Sequence, residues 1–248
     1  FMLELKNINF TRDNKHILKD INLVIPDDKF VVITGPNGSG KSTLAKVIMG
    51  IETPDTGTIL LDGEDVTKMT IDERARKGIG FAFQQVVKFK GLTVYDLIRL
   101  SAGKNVNKAE ACEILSAVGL CAKEYIDREV NSSLSGGELK RIEIATVAIR
   151  NNKLIIFDEP EAGIDLWSFS MLIQQFEKIH ASKEQSLILI SHQERIIQMA
   201  DRIMVIEDGK ITEQGTHQEL LAKQGYYYNI YRIQQGIASA AEVLGGEA

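Results

Sequence analysis

Residues 35–43 read Gly35-Pro36-Asn37-Gly38-Ser39-Gly40-Lys41-Ser42-Thr43. This stretch fits the phosphate-loop pattern Gly-x-x-x-x-Gly-Lys-Ser/Thr. Residues 30–33 before it form a continuous apolar run, typical of a strand covered on both faces. Residues 41–49 after it carry a helical pattern that Gly50 ends. Because this motif requires a strand before it and a helix after it, the sequence predicts an α/β fold that binds phosphate groups.

The residue types in the loop define a nucleotide site. Its glycines let backbone N–H groups turn toward phosphates, and the positive end of the following helix points at them. We expect Lys41 to reach the β- and γ-phosphates, and we expect Ser42 to be a ligand of Mg²⁺, which prefers oxygen ligands. A phosphate loop alone is shared by kinases, GTPases and many ATPases, so other motifs must decide among them.

A second buried strand, residues 154–157, ends in Asp158 and Glu159. Carboxylates at the carboxyl end of a strand in an open α/β sheet lie where such folds bind ligands. Asp158 suits the Mg²⁺ shell, and Glu159 suits polarisation of an attacking water. The alternative interpretation is a strand that ends in a solvated acidic turn.

Residues 134–138 read Leu-Ser-Gly-Gly-Glu. Ser135 stands where a helix N-cap belongs, and the free N–H groups of Gly136 and Gly137, next to Glu138, can hold a phosphate. With the phosphate loop before it and the acidic strand end after it, this signature makes the chain resemble the ABC ATPases over nearly its whole length. The resemblance implies ATP hydrolysis in a head-to-tail homodimer or pseudo-dimer. In such a dimer the signature contacts the γ-phosphate bound on the other subunit.

Three smaller motifs match the same family. Gln84 resembles the glutamine that touches Mg²⁺ or the attacking water. Asp165 closes Ala-Gly-Ile-Asp, which resembles the D-loop that crosses the dimer interface. His192 follows the apolar run 187–190 and resembles the switch histidine that would bond the γ-phosphate, whereas a single histidine after a strand is more often structural.

The residue that holds adenine is left open. Many family members stack adenine on an aromatic residue, but Arg12 occupies that position here and Phe10 lies two residues away. We expect Phe10 or the stem of Arg12 to contact the base, or the base to be held loosely. The alternative, which the alternating pattern of the strand favours, makes Phe10 a core residue.

The resemblance predicts a P-loop NTPase of ABC type with an antiparallel β edge and a helical signature lobe. Residues 1–84 and 152–248 should form the α/β core, and residues 85–151 the lobe. Residues 3–10 and 21–25 alternate as half-buried strands do. The helical pattern in the lobe is expected to place five residues mostly on one face: Ala109, Cys112, Leu115, Ala117 and Leu120. We expect partner contacts at Val86, Val87, Phe89 and Leu92. The alternative is that these residues belong to the lobe's own core.

Several local features resemble the SufC group, the ATPases of SUF-type iron–sulfur cluster assembly. They are residues 81–84, residues 137–141, residues 158–165 and residues 192–196. Val86-Val87-Lys88 departs from that group, in which Tyr-Pro often follows the glutamine that Gln84 resembles. The resemblance favours a SufB/SufD-like scaffold as partner, with a transmembrane permease of an ABC transporter as the alternative.

Composition excludes some classes. The chain has 248 residues, a net charge of −5 and 44% hydrophobic residues. That charge argues against broad nucleic-acid binding, and no apolar run reaches the roughly 18–20 residues of a membrane span, so we expect a cytoplasmic protein. Cys112 and Cys121 are too few for a disulfide framework and are expected to be reduced thiols.

The tyrosines of residues 226–231 are expected to pack as a helix end, and residues 237–248 to fray.

Overall fold

A computed structural model describes residues 2–83, 88–131, 133–150, 152–240 and 242. The strands in these residues are β1 (Leu3–Arg12), β2 (Lys15–Ile25), β3 (Phe30–Thr34), β4 (Thr56–Leu61), β5 (Glu64–Asp65), β6 (Ile79–Ala82), β7 (Leu154–Asp158), β8 (Ser186–Ile190), β9 (Arg202–Glu207) and β10 (Lys210–Gly215). The helices are α1 (Lys41–Met49), α2 (Ile71–Arg76), α3 (Val94–Ala102), α4 (Lys108–Ala117), α5 (Ala122–Tyr125), α6 (Gly136–Ala148), α7 (Leu166–Ser182), α8 (Glu194–Met199), α9 (His217–Lys223) and α10 (Tyr226–Gln234).

The main sheet carries the phosphate loop. Its six strands lie in the order β10-β9-β3-β8-β7-β6, and β3, β8, β7 and β6 pair in parallel. Every residue of β3, β7 and β8 is buried, which confirms the predicted doubly covered strands. Because the carboxyl ends of parallel strands meet at one edge of the sheet, the loops after β3, β7 and β8 lie close together.

A separate antiparallel sheet has the order β2-β1-β4-β5. The inward side chains of β1, including Leu3, Leu5 and Ile8, are buried. They share one hydrophobic cluster with α1 and with one face of the main sheet. The predicted α/β fold with an antiparallel edge is therefore confirmed, and its core includes the helix that follows the phosphate loop.

Helices α3–α6 enclose a hydrophobic cluster of their own, whose buried members run from Val94 to Ala145. The helical face predicted here is wrong at two positions. Ala109 is exposed, and Ala111 is buried in its place. Helix α4 ends at Ala117, and Gly119 takes a φ of 74°, so Leu120 enters the core from the turn that follows. The limits of the predicted lobe, residues 85–151, stay a prediction.

The chain continues into helices α9 and α10. The tyrosine-rich stretch forms α10, as predicted, and Tyr227 is buried in the hydrophobic cluster on the other face of the main sheet. The expected frayed segment, residues 237–248, lies mostly outside the described residues. Among the helices that are described, none combines the length and the apolar character needed to cross a membrane.

Candidate functional site

The phosphate loop between β3 and α1 requires glycine for steric reasons. Gly35 has a φ of 140°, and a Cβ atom on it would lie 2.0 Å from the carbonyl oxygen of Ile206. Gly40 has a φ of 105° and forms the N-cap of α1. The N–H of Gly209 donates to the carbonyl oxygen of Ser39 at 3.0 Å. Ser39 Oγ is buried and has no hydrogen-bond partner among the described residues, which suits an oxygen atom of a bound phosphate.

Lys41 lies with its ammonium group inside this loop. The side chain is buried, and Nζ donates to the carbonyl oxygens of Gly35 and Pro36, each at 2.8 Å. Burial lowers the pKa of Lys41, and the carboxylates of Glu159 and Asp158 oppose that shift. A cation so placed can pair with phosphate oxygens that enter the loop.

The remaining loop residues lie toward the open side. Asn37 and Gly38 are exposed, and Pro36, Ser42 and Thr43 are half-buried. The residues thus combine a backbone cradle that a Cβ atom would fill, an unpaired hydroxyl and a buried cation. This donor set fits the phosphates of a nucleotide.

The expected metal ligands Ser42 and Asp158 are brought together although they are 116 residues apart. Ser42 Oγ donates to Asp158 Oδ1 at 3.0 Å. Burial raises the pKa of Asp158, whereas the hydrogen bond from Ser42 lowers it. Two hard oxygen ligands at one point suit Mg²⁺.

Glu159 follows Asp158 in a strained backbone conformation. Its φ is 47°, a region that non-glycine residues rarely adopt. Its N–H donates to the carbonyl oxygen of Ile190 at 2.9 Å, which ties the end of β7 to the end of β8. The strain is consistent with a functional constraint on the direction of the carboxylate.

His192 faces that carboxylate. Its Nε2 lies 3.9 Å from Oε1 of Glu159, and its Nδ1 lies 3.5 Å from Oγ1 of Thr34. Burial and the charge of Lys41 lower the pKa of His192, and Glu159 opposes them. This shift favours the neutral imidazole, which stands beside both the phosphate loop and Glu159.

Glu161 is a site residue whose role the sequence did not indicate. Its Oε1 accepts a hydrogen bond of 2.5 Å from Ser191 Oγ, and Gln193 N–H donates to the same hydroxyl at 3.0 Å. Burial raises the pKa of Glu161. The bond joins the segment after Glu159 to the loop that carries His192. In the sequence, Glu161 was singled out only as part of residues 158–165, which resemble the SufC group.

Gln84 lies outside the described residues, as do Val86 and Val87, so its expected contacts with Mg²⁺ and water stay predictions. The residue before it is held firmly. Phe83 N–H donates to Glu143 Oε1 at 3.0 Å, and Lys140 Nζ donates to the Phe83 carbonyl oxygen. Lys140 and Glu143 lie in α6, so side chains of the signature helix hydrogen-bond the backbone of Phe83 directly before residues 84–87.

The signature begins α6 as predicted. Ser135 is the N-cap, with Oγ accepting from Glu138 N–H at 3.2 Å, and Glu138 Oε2 accepts from Ser135 N–H at 2.7 Å. No atom of the residues that the structure describes lies within 4 Å of where a Cβ atom would stand on Gly136 or Gly137. The first turn of α6 therefore has free space around its glycines.

Asp165 caps α7, because its carboxylate accepts from Ser168 N–H at 2.9 Å and from Ser168 Oγ at 2.5 Å. These hydrogen bonds lower the pKa of Asp165. The predicted place of this residue at a dimer interface stays a prediction.

Of the two residues proposed for adenine, Phe10 is buried in the core with 6% exposure. This is the alternative that its alternating strand favoured, and burial removes its ring from a stacking role. The Arg12 guanidinium lies 5.5 Å from the Phe10 ring centroid and pairs with Glu52. Contact between adenine and Arg12 stays a prediction.

Comparison with known proteins identifies the family. The model of the family described as ABC transporter matches residues 18–162. The ABC transporter ATP-binding protein MJ0035 of Methanocaldococcus jannaschii is 37% identical, over 88% of this chain and 90% of its own length. The sulfate/thiosulfate import ATP-binding protein CysA of Synechocystis is 36% identical, over 82% of this chain and 57% of its own length.

Two solved structures share the fold. A bacterial Atm1-family ABC exporter with ATP bound matches with a TM-score of 0.84 and 26% identity, over 94% of this chain and 42% of the exporter chain. A dimeric post-hydrolysis state of the ATP-binding cassette MJ0796 with ADP and Pi matches with a TM-score of 0.76 and 26% identity, over 86% and 98% of the two chains. With its phosphate loop, paired carboxylates and signature helix in place, the chain belongs to the ABC transporter family and is an ABC-type ATPase.

Proposed function

We propose that the chain is the nucleotide-binding subunit of an ABC transporter and hydrolyses Mg²⁺-ATP as a head-to-tail dimer. One observation carries the hydrolytic part: Ser42 with Asp158, and Glu159 with His192, meet at the edge of the sheet where the phosphate loop begins. The transporter part is supported by the relatives, which include an import ATP-binding protein and an Atm1-family exporter.

Each residue has a role in that site. Lys41 binds the β- and γ-phosphates, and Ser42 and Asp158 would hold Mg²⁺, with Gln84 as a further candidate ligand. When bound, the metal neutralises charge on the phosphate oxygens. Glu159 orients and polarises the attacking water. His192 donates a hydrogen bond to the γ-phosphate and keeps the water in line with it.

The dimer is supported by the free space at the signature. Gly136 and Gly137 stand in the first turn of a thirteen-residue helix with open space beside them, and helix N-termini favour anions. In the proposed dimer, Ser135 and these glycines bind the γ-phosphate held by the second copy. The related cassette MJ0796 was solved as a dimer, which supports the same arrangement here.

The partner surface is proposed at a cleft between β6 and the helices of the lobe. This cleft, of about 160 Å³, has apolar walls that include Phe83, Phe89 and Leu97. Phe89 is 39% exposed and follows residues 84–87. An apolar side chain of a transmembrane permease would bury these walls on docking. Leu92, the other described candidate, is half-buried beside this surface.

A SUF-type scaffold is the competing partner. The resemblance in residues 81–84, 137–141, 158–165 and 192–196 favoured it, but it rests on those motifs alone. The import and export proteins among the relatives favour a permease instead. We therefore place the permease first.

Co-purification decides between these partners. The chain is expressed with its genomic neighbours, and the proteins that bind it are identified. A polytopic membrane protein supports the proposal, whereas a soluble scaffold that binds iron and sulfide contradicts it. Phe89→Glu should abolish capture of the partner. Val24→Glu, a matched change at a residue of β2 in the antiparallel sheet that is 46% exposed and does not line the cleft, should not.

A further inference from the structure

The geometry around His192 raises the question of which ring nitrogen carries the proton. A neutral imidazole has one N–H donor and one acceptor nitrogen, and the neighbours of each nitrogen decide the tautomer. The two nitrogens of His192 have different neighbours, a carboxylate on one side and a hydroxyl on the other. This difference assigns the proton.

The carboxylate side requires a donor. Nε2 lies 3.9 Å from Glu159 Oε1, and an ionised carboxylate can only accept hydrogen bonds. Within the described part of the chain, Nε2 is also buried and has no hydrogen-bond partner. The γ-phosphate oxygens that His192 is proposed to bind are acceptors too. The proton therefore belongs on Nε2, and Nδ1 is left as the acceptor.

The hydroxyl side supplies the matching donor. Thr34 is the last residue of β3, is 6% exposed, and has Oγ1 3.5 Å from Nδ1 of His192. A threonine hydroxyl can rotate to donate. Because Thr34 directly precedes Gly35, the same residue touches the start of the phosphate loop and the histidine that follows β8.

Helix α10 lies next to this contact between Thr34 and His192. A narrow void beneath the helix is lined by Thr34, Tyr227, Tyr231 and Gln234. Gln234 Nε2 donates to the carbonyl oxygen of His192 at 3.0 Å. Tyr227 OH lies 2.7 Å from Nδ1 of His217 in α9, which anchors α10. The backbone of His192 is thus held while Thr34 holds its ring.

We propose that Thr34 is a positioning residue that fixes His192 as the Nε2–H tautomer, with the N–H directed at the site of the γ-phosphate. The inference rests on the role proposed for His192. It extends that role to a residue that none of the motifs contains. It requires the Thr34 hydroxyl and not merely a side chain of that volume.

The test uses isosteric and conservative changes. Thr34→Val removes the hydroxyl and keeps the volume, and Thr34→Ser keeps the hydroxyl. Ser186→Ala removes another buried strand hydroxyl, at the end of β8 away from His192. ¹⁵N spectra of the imidazoles report the tautomer directly, and with four histidines in the chain the His192 signal is assigned by its loss in His192→Ala.

We expect the wild type, Thr34→Ser and Ser186→Ala to show the Nε2–H tautomer, and Thr34→Val to lose it in part. Loss of one such hydrogen bond should lower kcat of Thr34→Val about fivefold, with KM for ATP little changed. An Nδ1–H tautomer in the wild type, or a Thr34→Val enzyme with normal kcat, overturns the inference. An equal loss in Ser186→Ala also overturns it.

His192→Ala separates this inference from the role of His192 itself. If His192→Ala is inactive while Thr34→Val is normal, only the role of Thr34 fails. If His192→Ala retains wild-type turnover, the role of His192 fails, and the inference built on it fails with it.

Discussion

The two halves of the ATPase site differ in how complete they are within one chain. At the phosphate loop, buried strands bring Lys41, Asp158 and His192 together, and backbone bonds tie their loops to one another. At the signature, Ser135 Oγ accepts a hydrogen bond from the first turn of its own helix, and the glycines beside it face open space. The first half is shaped by the chain's own core, whereas the glycines of the second have open space beside them in the part of the chain that the structure describes. The contrast supports the proposed dimer, in which each signature completes the site of the other copy.

The largest expected effect is a loss of hydrolysis in a protein whose two half-sites remain folded. Glu159→Gln removes the base beside His192 and should lower kcat by about 10²–10⁴-fold while ATP still binds. Because the uncleaved nucleotide stays in place, the variant should accumulate as a dimer with Mg²⁺-ATP. ATPase assays and size-exclusion chromatography measure the two effects. Unchanged turnover would contradict the role of Glu159.

Lys41→Ala should lose nucleotide binding instead.

A matched pair of glycine changes sharpens the comparison directly. Gly35→Ala forces a Cβ atom to 2.0 Å from a carbonyl oxygen at a φ of 140°, so we expect a loss of about 3 kcal/mol or more in the free energy of unfolding. Gly137→Ala meets no atom within 4 Å and lies in a helix. Its free energy of unfolding should stay the same or rise by up to about 1 kcal/mol.

Turnover should nevertheless fall about tenfold in Gly137→Ala, because the added methyl group obstructs the phosphate of the other copy. Thermal unfolding and ATPase assays of both variants provide the comparison. Wild-type activity in Gly137→Ala would mean that the signature does not approach a phosphate.

The smallest expected effect is a pH dependence of stability within the first half. The pKa of His192 lies below its ordinary value because burial and Lys41 disfavour the charged ring, although Glu159 opposes them. Between the folded pKa and the unfolded value of about 6.5, the unfolded chain binds more protons. The stabilising contribution is therefore present above that value and is lost as the pH falls.

His192→Gln removes this contribution. The wild type should lose more free energy of unfolding than the variant between pH 7.5 and 5.5, by a few tenths of a kcal/mol, because solvent screens a half-exposed ring. Urea unfolding at both pH values measures the difference. Equal losses would show that the ring is not disfavoured in its charged form.

Local features of the fold followed from short stretches of sequence. The pattern of residues 41–49 predicted α1 with its Gly50 cap, and Ser135 was predicted as the N-cap of α6. Such features depend on backbone preferences and on neighbours within one helical turn. The predicted face of α4 failed at Leu120 because the helix ends at Ala117, and it failed at Ala109 because Ala111 takes the buried position in the first turn.

The chemistry of the chain could be predicted from sequence, since the phosphate loop, the acidic strand end and the signature are each contiguous. The contacts made around these motifs by distant residues became visible only in the folded chain. The contacts of Thr34 with His192 and of Glu161 with Ser191 span 158 and 30 residues. They form because β3, β7 and β8 pair in parallel and bring their carboxyl ends to one edge. Pairing order is set by packing of the whole core, so no local pattern of residues could reveal these partners.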